Sequence, residues 1–194
     1  GAYFDDAEEI DFFHNSFRGE DYGIYVNDHL DWDVRNNIFF SNSTYAFYTF
    51  DSLAITMDYN IYHTNGTNLI YYGSLYSDLA AFQSGVPSLN INSLQGDPMF
   101  AAPVDLHLNG TLANDVGDNS VGITTDLDGD TRPLSPSTTV DIGADEYNPP
   151  TCPNVTALIV DSVSSSSISF SWTLGSTETE WQVEYGLTGF TQGS

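Results

Sequence analysis

Between Ile10 and Gly73 the alternation of apolar and polar residues says nearly the same thing three times. With Asn15 set under Asn37 and Asn60, at offsets of 22 (37 − 15) and 23 (60 − 37) residues, the lines read HNSF (14–17), NNIF (36–39) and YNIY (59–62). A little further along, each line carries a second apolar run: GIYV (23–26), YAFY (45–48) and NLIY (68–71). A period in the low twenties, with short strands, intervening turn residues and no helical spacing, predicts an all-β chain stacked as a β-solenoid. No single line can bury its own face. Piling the lines ~4.8 Å apart makes a continuous core and pairs each backbone with the lines above and below.

The columns follow from this register. Asn15, Asn37 and Asn60 are expected to form a structural ladder of amides, hydrogen-bonded along the stack at a turn. Phe12/Val34/Met57, Ile24/Ala46/Leu69 and Val26/Tyr48/Tyr71 read as apolar columns. Strand alternation then turns Tyr25/Phe47/Ile70 the other way. With Trp32, Tyr45 and Phe50 nearby, that second column is the candidate aromatic surface, and Tyr25, Trp32, Tyr45 and Phe47 are the candidate ligand-binding residues. Aromatic rings stack on sugars, and a flat side suits a long polymer. The competing reading packs these rings beneath loops or against a neighbouring chain segment.

After the third line the repeat breaks. Residues 77–85 (SDLAAFQSG) predict a short helix with Ser77 as N-cap and a closing glycine, Leu79 and Phe82 sharing one side. Residues 86–93 resume an alternating strand pattern, followed by GDPMF (96–100) and DLHL (105–108). The remainder turns to Gly, Asn, Asp, Ser and Thr.

Charge narrows the partners. The 194 residues hold 27 acids against three arginines, Arg18, Arg35 and Arg132, and no lysine, a formal charge of −24. That argues against nucleic acid and anionic membrane surfaces, which need a basic footprint, and against polyanionic sugars unless a cation intervenes. Cys152, the single cysteine, has no internal partner. No apolar run reaches transmembrane length, and the first residues lack a signal pattern. Both ends look cut, so the chain reads as a piece of a longer protein.

The order of GDPMF (96–100), DLHL (105–108), DVG (115–117), TDLDGDTRP (125–133) and VDIGADEY (140–147) resembles the C-terminal end of right-handed parallel β-helix (pectin-lyase-like) surface proteins with a choice-of-anchor Q-type region. The match spans roughly residues 10–147. The family's usual turn before DVG is degraded here to Thr111-Leu-Ala-Asn-Asp115. The resemblance implies a right-handed parallel β-helix for 1–148, with C-terminal rungs and a cap over the last line. Within the cap, Arg132 stands amid Asp126, Asp128, Asp130, Asp141, Asp145 and Glu146 and is expected to be partly buried and fork-bonded to one of these carboxylates, with Asp141 also a structural residue of the cap. The alternative is calcium: Asp126, Asp128 and Asp130 match the opening of an EF-hand loop, although Thr131 stands where glycine belongs and Ser137 where the closing glutamate belongs.

Beyond a Pro-rich linker, residues 149–194 look like the first strands of a fibronectin type III β-sandwich. Cys152-Pro, Ile168–Trp172 and Trp181–Tyr185 carry that likeness, and only about half of such a domain is present.

Two functions are weighed. The first is a non-catalytic module of a secreted or cell-surface bacterial-type protein, a β-helix stalk, adhesin or glycan binder. The second is the C-terminal portion of a polysaccharide lyase or glycoside hydrolase whose catalytic residues lie upstream. Asp31 and Asp33, flanking Trp32, are the one candidate hydrolytic pair, and with His29 the closest to a histidine-bearing metal set. Asp5, Asp6, Glu8 and Glu9 read as a hydrated acidic run.

Overall fold

The structure, a computed structural model, describes residues 1–50, 55–148, 155–173 and 181, with residues 28–30 described by backbone alone. Packing divides the chain into two units, Gly1–Pro149 and Pro150–Ser194. Among the described residues the chain is all-β apart from one short helix and one 3₁₀ turn.

The first unit opens with β1 (Ala2–Glu8). One line then supplies β2 (Asp11–Phe13), β3 (Ser16–Gly19) and β4 (Tyr22–Leu30). The next supplies β5 (Trp32–Arg35), β6 (Ile38–Ser41) and β7 (Tyr45–Thr49), and the third β8 (Ile55–Asp58), β9 (Ile61–Thr64) and β10 (Ile70–Tyr72). Each line gives one strand to each of three sheets. The first sheet runs β1-β4-β7-β10 in parallel, the second β2-β5-β8 and the third β3-β6-β9.

The corner between the second and third sheets repeats residue for residue. His14, Asn36 and Tyr59 adopt positive φ of 54°, 58° and 52°, and an asparagine follows each. Such a bend turns the next amide inward, away from any strand partner. The asparagine of the following line accepts it: Asn15 N donates to Asn37 Oδ1 and Asn37 N to Asn60 Oδ1, both at 2.9 Å. The side-chain amides continue the file at 3.1 Å. Ser93 ends it, its Oγ accepting Asn60 N at 2.8 Å.

Phe12, Val34 and Met57 stand in register and are buried. Facing them from the third sheet, Phe17, Phe39 and Tyr62 stack at 5.6 and 5.5 Å. The first sheet corrects the expected register. Ile24 pairs with Phe47 and Phe47 with Ile70, whereas Tyr25 pairs with Tyr48 and Tyr48 with Tyr71. The cause is one extra turn residue. Asn15 to Ile24 is nine positions (24 − 15), but Asn37 to Phe47 and Asn60 to Ile70 are each ten (47 − 37, 70 − 60). A one-residue slip reverses every face.

β10 folds back on β11 (Leu75–Tyr76), and α1 (Leu79–Gly85) follows. Asp78, not Ser77, caps the helix by accepting Ala81 N at 2.7 Å. Leu79 and Phe82 join the main core, Phe82 meeting Tyr72 edge-on at 5.7 Å. Residues 86–93 are turns rather than the expected strand. β12 (Leu94–Gln95) then adds to the third sheet, and β13 (Phe100–Ala102) and β14 (Asp105–Leu108) form a hairpin.

The segment expected to cap the last line does something else. Residues 113–147 run back along the flank of the third sheet to the earliest lines. Gly143 N reaches Asn36 O at 2.8 Å, and Ala144 N reaches Ser16 Oγ at 3.0 Å. Ile38 and Ile61, outward on that sheet, are buried against Leu108, Ala113 and Ile142. The contact is so close at Gly143, φ 105°, that a Cβ would sit 2.6 Å from Ile38 Cδ1. It is α1 that brings side chains into the core at the last line.

In the second unit β15 (Thr156–Val163) and β16 (Ile168–Thr173) pair antiparallel. Cys152 and residues 182–185, Tyr185 among them, lie outside the described residues.

Candidate functional site: a tyrosine strip and a polar flank

The outward column of the first sheet is a file of tyrosines. Tyr3, Tyr25, Tyr48 and Tyr71 stack with ring centroids 5.1, 4.8 and 4.6 Å apart and interplanar angles of 23°, 12° and 15°. Tyr22 and Tyr45 form a second row, 6.1 Å apart, edge-on to the first. Phe50, half exposed, stands edge-on to Tyr48 at 5.0 Å. Mutual stacking leaves ring edges and hydroxyls, rather than open faces, toward solvent along most of the file. Burial by neighbours pushes the phenol pKa of Tyr22 and Tyr48 up, so both are neutral donors at physiological pH.

Of the four expected ligand-binding aromatics, the strip contains Tyr25 and Tyr45. Trp32 and Phe47 are not surface residues. Trp32 is 2% exposed and donates Nε1–H to Ala7 O at 2.7 Å, while Phe47 lies fully inside the core. Tyr3, Tyr22, Tyr48 and Tyr71 were missed. The signal for two of them was present: Tyr25, Tyr48 and Tyr71 recur at 23-residue steps (48 − 25, 71 − 48).

The Asp31/Asp33 pair does not assemble as an acid–base couple. Asp33 is gripped by Arg35 through Nε at 2.8 Å and Nη2 at 2.6 Å, a two-point fork, and Arg35 Nη1 reaches Asp118 at 2.9 Å. These bonds, Asp33's foremost, raise the arginine pKa still further. Asp31 is exposed, at a corner with φ 55°. The side chain of His29 lies outside the described residues.

Arg132 is buried, but without a fork. Nη1 donates to Glu146 Oε1 at 2.7 Å, Nη2 to Gly143 O at 2.9 Å and Nε to Thr125 O at 3.3 Å. Asp141 meets Arg132 through its backbone carbonyl alone, at 3.4 Å from Nη1, while its carboxylate binds elsewhere: Oδ1 accepts Asp115 N at 2.7 Å and Oδ2 Tyr147 N at 2.6 Å. Burial pushes the Asp141 carboxyl up to about 7, against the pull of those two amides. His14 lies 3.0 Å from Arg132 Nη1 and 2.9 Å from Asn36 Nδ2. Burial first, then the arginine's charge, lower its pKa to about 4, so the ring is neutral.

The Asp126/Asp128/Asp130 loop does not converge on a calcium site. Asp126 Oδ1 accepts the amides of Asp128 and Asp130 at 2.9 and 2.8 Å, and its Oδ2 that of Glu146 at 3.1 Å. Burial alone would raise its pKa; the three amides win and hold it below the usual carboxylate range. Asp128 turns away to His107, whose Nε2 meets its Oδ2 at 2.9 Å. The opposite ring nitrogen of His107 bonds Asp105, and the two carboxylates, Asp105's foremost, raise the imidazole to about 9. Asp145 lies beside them, and one ligand atom from each of His107, Asp128 and Asp145 falls within 4.8 Å of the other two.

A shallow cleft of about 580 Å³ between residues 86–89 and the end of the first sheet is lined by residues such as Tyr72, Tyr76 and Leu89, with no carboxylate, histidine or arginine. Among the described residues no helix is long and apolar enough to cross a membrane. No family model, curated protein or solved structure matches this chain, so a functional reading rests on its own residues.

Proposed function

We propose that residues 1–148 are the C-terminal turns of a right-handed parallel β-helix of a secreted or cell-surface protein, and that the tyrosine strip binds a neutral polysaccharide without cleaving it. The observation that carries this reading is the file Tyr3/Tyr25/Tyr48/Tyr71, with Tyr22, Tyr45 and Phe50 beside it. A solvent-facing row of this kind contributes nothing to the core, yet it gathers seven rings on one sheet face. Tyrosine combines an apolar edge with a hydroxyl and loses little conformational entropy on binding. The hydroxyls recur with the strand spacing, which suits a ligand that itself repeats. A chain of −24 repels polyanions and other copies of itself, which favours an uncharged glycan as the occupant.

The test is electrophoresis through gels containing neutral glucans, xylans or mannans. At least one polymer should retard the protein, and Tyr25→Ala/Tyr48→Ala should abolish the retardation while keeping the native far-ultraviolet circular dichroism. Unretarded migration through every polymer removes the glycan reading. Release of reducing ends by this chain would overturn its non-catalytic part.

A further inference from the structure

We infer that His107, Asp128 and Asp145 form a binding site for a divalent transition cation of the zinc class, with Asp105 orienting the histidine. This rests on different residues from the glycan strip and stands or falls separately.

Three segments converge here. β14 carries Asp105 and His107 two positions apart, hence on one face of the strand. The Asp126–Asp130 turn presents Asp128, because Asp126 spends its own carboxylate holding that turn's amides. Residues 140–147, running along the flank, deliver Asp145. Its environment points to a ligand. The residue is only 7% exposed, its Oδ2 accepts the Leu108 amide at 2.7 Å, and its Oδ1 has no hydrogen-bond partner among the described residues. That oxygen is open to an arriving ion, and a positive charge beside it offsets the desolvation of the largely enclosed carboxylate.

The histidine is prepared for metal. Asp105 holds Nδ1–H, so a cation that displaces the Nε2 proton to solvent meets a nitrogen already oriented by a carboxylate, the arrangement that commonly orients metal ligands. Nε2 and Asp128 Oδ2 are 2.9 Å apart, and all three ligand atoms lie within 4.8 Å. Metal bonds of ~2.0–2.2 Å need ligand atoms roughly 3–4 Å from one another, so small side-chain rotations complete the site. His107 is half exposed and Asp128 exposed, leaving the remaining coordination positions to water. One imidazole with two carboxylates selects zinc over calcium, which takes six to eight oxygens at longer range.

Chelator-treated protein titrated calorimetrically with Zn²⁺ should bind one equivalent. His107→Gln and Asp128→Asn should each weaken binding at least tenfold, and Asp105→Asn severalfold. His63→Gln, removing a histidine that pairs with Asn65, should leave binding unchanged. Ca²⁺ in tenfold excess should not displace the zinc. Asp128 is exposed, so its asparagine variant folds and remains informative if His107→Gln does not. No uptake of Zn²⁺ by the native chain, undiminished binding by Asp128→Asn, or displacement by Ca²⁺ would each overturn the assignment.

Discussion

Asn37 holds two neighbouring lines at once. Its Nδ2 donates to Phe12 O and Arg35 O, at 2.8 and 2.9 Å, while its Oδ1 accepts the Asn15 amide. All of this happens at 0% exposure, where water cannot substitute. Asn37→Ala therefore strands several buried backbone groups, at ~1–3 kcal/mol each. Chemical denaturation should show a loss of at least about 2 kcal/mol, and a midpoint equal to that of the native chain would contradict the ladder's role. His14 carries a pH signature of its own. Its ring is neutral in the folded protein, at about 4, and has its ordinary value of 6.5 when unfolded. The unfolded chain thus takes up the proton first as pH falls. Its contribution is complete above pH 6.5 and is lost between 6.5 and about 4, at up to about 1.4 kcal/mol per pH unit. His14→Gln should flatten that part of a stability–pH curve; an unchanged slope would mean another group titrates there.

At the scale of elements, the flanking segment 113–147 is held from within by a buried cation, Arg132, and from β5 by Arg35 through Asp118. Arg132 joins Glu146, Gly143 and Thr125, and both it and Glu146 are almost fully enclosed. Removing one partner of a buried pair leaves an uncompensated charge and costs ~3–5 kcal/mol. Arg132→Ala should release this segment, seen as rapid amide exchange at Gly143 and Ala144, while Asn37 stays protected. Retention of slow exchange at Gly143 would show that apolar contacts with Ile38 and Ile61 suffice. Arg132's burial and a carboxylate partner could be anticipated from its isolation among acids, but not which of the six acids it would be. The fork expected of it belongs instead to Arg35 and Asp33, two residues apart on β5, a local geometry that pattern reading passed over.

For the whole molecule, the three lines share one logic: each strand covers the one before, and the asparagine file keeps the corners aligned. Two elements finish the structure. α1 meets the core at the last line, and the polar flank covers the outward isoleucines of the third sheet. This division of labour explains why the flank is rich in charged and turn residues while α1 buries Leu79 and Phe82. It also places the tyrosine strip on the first sheet, a different face from the flank, so binding on one need not disturb the other.

The spacing of Asn15, Asn37 and Asn60, and of Phe12, Val34 and Met57, was enough to align the second and third sheets, because no residue is inserted between those positions. An all-β chain with parallel stacking follows from that periodicity alone. Which face of the first sheet meets water was decided by a single extra residue in a turn, and that sent Phe47 inward and Tyr48 outward. The His107, Asp128 and Asp145 grouping, and the path of 113–147 along the flank, depend on contacts between residues tens of positions apart. Local pattern reports what a segment can bury. Only the folded chain settles which surface it buries it against.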